Sequence, residues 1–200
     1  MIALNVRQGS SEWLDARLGL PTASAFHNLI TPRTRQPSKS ADRYLHRLLA
    51  EHQLGRPLDD ASSLWMERGN EMEQEAVRLY EFQHDIDTEV VGFVLRDDGR
   101  VGCSPDRFVG DNGILEIKVP SAEVHAGYLM GVSLEDVYRP QVQGMLWVCE
   151  RQWADLMAYN PEMRPALVRV ERDEEFIEAL AEIVDSFVVR LDEAKGTLDA

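Results

Sequence analysis

Ser104-Pro105-Asp106-Arg107-Phe108-Val109-Gly110-Asp111-Asn112-Gly113-Ile114-Leu115-Glu116-Ile117-Lys118 is the stretch on which the fold turns. Arg107 to Val109 and Ile114 to Lys118 have the composition of two short strands, and Gly110-Asp111-Asn112-Gly113 between them is a turn sequence. Strand side chains alternate between faces, so Glu116 and Lys118 share one face while Leu115 and Ile117 point the other way into a core. Folding the hairpin back brings Asp106 level with Glu116. Two carboxylates and an ammonium on one exposed edge, backed by apolar neighbours, suit hard divalent cations and put a positive charge beside a reacting phosphate. A solvated cross-strand ion pair next to a turn satisfies the same fragment, and the fragment alone does not separate the two.

The rest of the chain sets the frame. Its 200 residues are 44% hydrophobic, enough for one substantial core, and no Pro/Gly/Ser-rich linker or charge block divides them. One domain over residues 1–200 is expected. No apolar run is long enough to cross a bilayer, and Met1-Ile2-Ala3-Leu4-Asn5 lacks the basic and apolar parts of a signal peptide. A cytoplasmic location is therefore expected. Two cysteines cannot make a disulfide framework, and Cys103, immediately before the proposed site, is expected to be reduced. Neither cysteine nor any of the 5 histidines shows zinc-ligand spacing.

Charge argues against nucleic acid at first sight. A net charge of −14 opposes the long-range attraction that DNA-binding proteins ordinarily use. The charge is uneven, however: residues 1–70 hold 9 Lys/Arg against 7 Asp/Glu, and residues 71–200 hold 12 against 28. Bound cations would offset acid at the site, and the basic N-terminal third could supply phosphate contacts inside an acidic exterior.

Helices and strands alternate along the chain. Ser11 to Leu18 reads as a short helix stopped by Gly19, and Thr22 as the cap of another reaching Ile30. Thr31 to Lys39 is a basic loop, and Ser40 caps a helix whose Ala41, Tyr44, Leu45, Leu48 and Leu49 repeat at helical spacing until Gly55. Leu64 to Gln83 is a further helix, Thr88 to Arg96 a β-rich run, and after the hairpin come helices over 121–130 and 133–150. Trp153 to Tyr159 and Ala166 to Arg172 read as strands, and Asp173 caps a final amphipathic helix.

Three further constellations bear on the site. Helical spacing in Gly69 to Ala76 puts Glu73 on the inward face of Ala76, Val77 and Tyr80. A carboxylate facing a core needs a partner such as a metal, unless it lies at the helix boundary and reaches water. Trp13, Arg17, Thr22 and Ser24 bring a guanidinium and hydroxyls to a helix start, a pattern that fits a phosphate and equally an N-cap beside a surface arginine. Gln141 and Gln143 lie inside an apolar helix, where an amide serves a phosphate or water at the site, or backbone groups.

Taken together, Trp13 to Arg17 with Leu18-Gly19 and Thr22-Ala23-Ser24, Gly69 to Ala76, Cys103 to Lys118, Tyr138 to Trp147 and Val170 to Glu174 occur in an order that resembles a known family. The chain resembles the lambda-type phage exonuclease, or alkaline exonuclease (YqaJ-like), branch of the PD-(D/E)xK nucleases over nearly its whole length. The resemblance implies an α/β fold with a restriction-endonuclease-like core, a central mixed sheet flanked by helices. It implies a 5′ to 3′ exonuclease that degrades one strand of duplex DNA from 5′-phosphorylated ends. By position Glu73, Asp106 and Glu116 match the family's metal-binding carboxylates, Ile117 its carbonyl ligand and Lys118 its catalytic lysine, with two Mg²⁺ ions, or Mn²⁺ in their place. Arg17, Ser24, Ser104 and Gln141 match the pocket for the terminal phosphate, and Arg33 an arginine that reaches the duplex. Position 68 departs, with Arg where a member of the family has an aromatic residue. A ring-shaped homotrimer, a single-strand annealing partner, a phage or prophage origin and no membrane association are implied as well.

This chemistry is coherent, since phosphodiester hydrolysis needs an activated water and charge stabilisation of the transition state. A lysine beside two cations is expected to have a lowered pKa. The competing classes are an endonuclease or helicase-linked nuclease on the same core, a catalytically silent DNA-end scaffold, and a metal-independent carboxylate-pair hydrolase, for which Lys118 has no evident use.

Overall fold

The hairpin forms in the expected register and organises a five-stranded mixed sheet. In the computed structural model, which describes residues 1–58 and 63–200 with the side chains of 63–70 outside that description, β1 (Ile2–Leu4), α1 (Ser11–Arg17), a 3-10 helix (Ala23–Asn28) and α2 (Ala41–Leu54) come first. They are followed by α3 (Ser63–His84), β2 (Glu89–Val90), β3 (Phe93–Leu95), β4 (Gly102–Cys103), β5 (Arg107–Val109) and β6 (Gly113–Lys118). The chain ends with α4 (Ala122–Leu129), α5 (Leu134–Val148), β7 (Trp153–Ala158), β8 (Ala166–Glu171) and α6 (Glu174–Leu198). The Arg68 departure and the Gly69-Asn70 start of the helical motif lie outside the described side chains.

The large sheet has the order β2-β5-β6-β7-β8, with β6 and β7 parallel and the other neighbours antiparallel. Val109 pairs with Gly113, Phe108 with Ile114 and Arg107 with Leu115, and Asp106, one residue before β5, reaches the N–H of Ile117 next to Glu116. The parallel step from β6 to β7 needs a crossover, and α4 with α5 supplies it. Alternation along β6 then separates two cores. Leu115 and Ile117 pack with Val109, Met157 and Ala76, Val77 and Tyr80 of α3. Ile114 faces the larger core with Ala154 and Leu156, under α5 and α6.

A second sheet, β1-β3-β4, is antiparallel throughout and leads straight into the site. The single β-rich run expected over Thr88 to Arg96 is two strands, one in each sheet, broken at Gly92. A Cβ at Gly92 would lie 2.4 Å from the carbonyl oxygens of Leu4 and Val6. That crossing of backbones is what only glycine allows, and it moves the chain between sheets.

Two caps differ from expectation. Thr22 and Ser40 make no side-chain cap hydrogen bond, and the segment after Thr22 is a 3-10 helix, whereas Ser10, Ser121, Ser133 and Asp173 do cap. The 3-10 helix is held by packing. Phe26 lies so close to Gly144 of α5 that a Cβ there would come within 2.4 Å of the Phe26 ring. Gly144→Ala is therefore expected to cost about 1–3 kcal/mol by overpacking, and to lower the melting temperature by about 2–4 °C for each kcal/mol. Thermal unfolding measures it; an unchanged midpoint would mean that the 3-10 helix is not wedged against α5.

Cys103 and Cys149 are both buried and reduced, with their sulfurs 3.4 Å apart. Burial, then the other thiol, pushes Cys103 well above its ordinary pKa. Among the described residues no helix is long and apolar enough to cross a membrane.

Candidate active site

Three elements converge at the open end of the hairpin. β6 presents Glu116 and Lys118, the Pro105-Asp106 step enters from β4, and α3 brings Glu73 across from the opposite face of the sheet. Gln8 holds the turn in place, its Nε2 donating to the carbonyls of Val91 at 3.0 Å and Pro105 at 2.8 Å. Asp106 Oδ2 accepts from the backbone N–H of Ile117 at 2.6 Å, so the carboxylate is fixed against the strand that carries Glu116.

The edge expected to be exposed is recessed. Glu116 is 3% exposed, and the Gln141 side chain of α5 reaches across to it. Its Oε1 accepts from Lys118 Nζ at 2.7 Å and from Gln141 Nε2 at 2.6 Å, and Gln141 Oε1 accepts from the same ammonium at 3.1 Å. Lys118 also lies 4.9 Å from the centre of the Tyr138 ring. Glu116 Oε2 is buried without a hydrogen-bond partner. Glu73 is in mid-helix rather than at a helix boundary, its Oε1 3.7 Å from Arg107 Nη1, and that guanidinium donates to the Asp106 carbonyl at 2.6 Å.

The electrostatics of this cluster ask for a cation. Burial, and then the charges of Glu116 and Glu73, push the Asp106 carboxyl well above its ordinary pKa. Burial likewise raises Glu73, against the pull of Arg107. For Lys118, burial works downward, but Glu116, Asp106 and Glu73 outweigh it and hold the group as an ammonium above its usual pKa. The lowering expected beside two cations depended on those cations as neighbours. Among the described residues no three Asp, Glu, His or Cys side chains are drawn into a ready-made ligand shell. Asp106 and Glu116 are turned toward Ile117 N–H, Lys118 and Gln141 instead, and Glu73 toward Arg107. The donor set still fits a hard divalent ion, because its side-chain oxygens are carboxylates and Glu116 Oε2, buried without a hydrogen-bond partner, is an oxygen that such an ion would satisfy.

Arg17, Ser24, Ser104 and Gln141 line a single cavity of about 120 Å³, together with Gln8, Trp13 and Thr22. This is well below the roughly 300 Å³ of a small drug-like pocket, which limits the occupant to one compact group, with Arg17 and the hydroxyls on one side and Ala23, Phe93 and Met145 on another. The cavity is built from distant segments. The Thr22 to Gly102 bridge sets the 3-10 helix beside β4, which delivers Ser104. Trp13 Nε1 donates to Ser104 Oγ at 2.7 Å, and the Arg17 guanidinium stacks 4.3 Å above the Trp13 ring. Ser24 Oγ lies 3.2 Å from Thr22 Oγ1. Gln143, by contrast, donates to the Glu171 carbonyl and accepts from the Asp173 N–H, both at 2.9 Å, and ties α5 to the start of α6. Its role is structural, while Gln141 belongs to the site.

Arg33 is exposed on the 31–39 loop and, with Pro32, Arg35, Asp136 and Arg139, lines an open cleft of about 240 Å³. Arg35 is paired to Glu175 at 2.8 Å and Arg139 to Glu135 at 3.2 Å and to Asp173. Nothing local in the sequence marks Gln8, Arg107 or Tyr138 as site residues; each matters through a contact distant in the chain.

Comparisons with known proteins bear on the family and the fold. A family model for the YqaJ-like viral recombinase domain matches residues 12–152. The alkaline exonuclease LHK-Exo from Laribacter hongkongensis superposes with a TM-score of 0.83 at 28% identity, over 95% of this chain and 96% of that one. The structure of LHK-Exo in complex with dAMP superposes with a TM-score of 0.81 over 94% of this chain and 96% of that one, again at 28% identity. A phage-related exonuclease from Haemophilus somnus 129PT shares the fold, with a TM-score of 0.71 at 15% identity over 90% of this chain and 96% of that one. No curated protein sequence matches the chain significantly.

Proposed function

The chain belongs to the family of YqaJ-like viral recombinase domains, and from that premise we propose that residues 1–200 form one exonuclease domain of the PD-(D/E)xK type. It degrades one strand of linear duplex DNA from a 5′-phosphorylated end in the 5′ to 3′ direction, releasing mononucleotides and leaving 3′ single-stranded overhangs. The observation that carries the proposal is the small cavity lined by Arg17, Ser24, Ser104 and Gln141, joined through Gln141 to Glu116 and Lys118. A compact anion site one side chain away from a carboxylate and ammonium cluster is what recognition of a terminal phosphate next to the scissile bond requires. The dAMP complex of LHK-Exo supports a nucleotide substrate for the family.

Glu73, Asp106, Glu116 and the carbonyl of Ile117 would hold divalent cations, two Mg²⁺ ions with Mn²⁺ as substitute. Such cations supply Lewis-acid stabilisation of phosphate charge and a more acidic water. The residues of the chain do the rest. Arg17 grips the terminal phosphate with a fork of N–H donors pre-oriented by its stack on Trp13. Lys118 orients the attacking water and stabilises the charge that builds on the phosphate. Arg33, exposed beside the open cleft, contacts the duplex backbone. The protein acts as a homo-oligomer, a ring-shaped trimer, beside a single-strand annealing protein in phage-type recombination, encoded by a phage or prophage and working in the bacterial cytoplasm.

Digestion of a linear duplex with one 5′-phosphorylated and one 5′-hydroxyl end, with Mg²⁺ or EDTA and beside a covalently closed circle, is the test. The expected result is Mg²⁺-dependent loss of the 5′-phosphorylated strand with the circle intact. Cutting of the circle would point to an endonuclease, and no cleavage in any metal to a silent end-binding protein.

A further inference from the structure

Gln141 belongs to two sites at once. Its carboxamide lines the cavity with Arg17, Ser24 and Ser104, yet its Nε2 donates to Glu116 Oε1 and its Oε1 accepts from Lys118. A primary amide has two N–H donors, so one is engaged with Glu116 while the other remains for the cavity. Lys118 also bonds Glu116 Oε1, which closes a triangle on one carboxylate oxygen and leaves Oε2 bare.

We propose that Gln141 is a positioning residue that couples the two sites, so that a phosphate monoester in the cavity and a divalent cation at Glu116 bind with positive cooperativity. The inference rests on the nuclease reading above and extends it to the order of assembly. Its basis is the planarity of the amide. An anion that takes the second N–H fixes the carboxamide plane, and with it the donor to Glu116 and the acceptor for Lys118, so the rotamer that keeps Oε2 free for a cation is selected. The backbone beneath cannot absorb the change, because Pro140 and Val142 are buried on either side and Gly144 is packed against Phe26. Gln143, two residues on, uses its amide on backbone groups only and is the internal control. An unoccupied end pocket would leave the cation weakly held, which restricts cutting to ends that carry the phosphate.

The experiment is Mn²⁺ binding, followed by electron paramagnetic resonance of the free ion. It is run with dAMP or deoxyadenosine, at a dAMP concentration that captures negligible Mn²⁺ in a protein-free titration. In the wild type dAMP is expected to tighten Mn²⁺ by roughly fivefold or more, within the usual range of coupling between sites, and deoxyadenosine to have no effect. In Gln141→Met and in the isosteric Gln141→Glu the difference disappears, whereas Gln143→Met keeps it. Steady-state kinetics give a second readout: a 5′-phosphate raises kcat as well as lowering KM in the wild type, but only lowers KM in Gln141→Met. Coupling that survives in both Gln141 variants overturns the inference, as does a wild type whose Mn²⁺ affinity ignores dAMP. A wild type that binds no Mn²⁺ at all would overturn the nuclease reading as well, so the two failures are distinct.

Discussion

Lys118→Ala is expected to lower turnover by on the order of a hundredfold or more, the usual scale for removing a positioned acid-base or electrostatic group, while leaving affinity for DNA ends nearly unchanged. The ammonium is the cation nearest the buried Glu116, at 2.7 Å, and it faces the cluster rather than the cavity that would receive the terminal phosphate. Removing it makes the cluster more negative, so attraction for divalent cations does not fall and the loss appears in kcat. The Gln141 amide still reaches Glu116, which limits the damage to folding. Single-turnover digestion at saturating metal and DNA measures the effect. Wild-type turnover in this variant would remove lysine from the mechanism.

The second large effect concerns the choice of end. Arg17→Ala is expected to erode the preference for 5′-phosphorylated over 5′-hydroxyl ends by roughly tenfold or more, since a hydrogen bond to a charged group contributes about 1.5–3 kcal/mol. Arg17 ends α1 with its guanidinium over the Trp13 ring, which in turn holds Ser104. The guanidinium is thus placed before any substrate arrives, and little entropy opposes its use. The alanine variant keeps the Trp13 to Ser104 bond, so the cavity persists with one charge fewer. Competition between the two kinds of end in one tube reads the ratio directly; an unchanged ratio would sink the assignment of this cavity to the terminal phosphate.

Much of the site was legible before any coordinates because strand geometry is local. A turn of fixed length and a side-chain period of 2 set the register of Val109 to Gly113 and Arg107 to Leu115, and therefore Asp106 beside Glu116. The same period separated Leu115 and Ile117, which pack on α3, from Glu116 and Lys118. Helical spacing placed Glu73 with Ala76, Val77 and Tyr80 for a similar reason. The backbone repeat alone carries that information. The family pattern supplied the cavity residues, and they converge in one space although they come from four segments.

Tertiary packing decided the rest. Residues 88–96 looked like one strand, but the crossing of Gly92 over the carbonyls of Leu4 and Val6 divides them between two sheets. The segment after Thr22 has the signs of a capped α-helix, yet it is a 3-10 helix without a side-chain cap, packed through Phe26 against Gly144. Gln141 and Gln143 stand on equal terms in the sequence, and only the packing of α5 against the sheet sends one to Glu116 and the other to the backbone at Glu171 and Asp173. What the sequence determined by itself is therefore the hairpin, its facing carboxylates and the family to which it belongs, because these depend on neighbours along the chain. Whether a carboxylate faces water or a helix, and which amide it meets, depends on segments far away in sequence, and the tertiary structure alone brings them together.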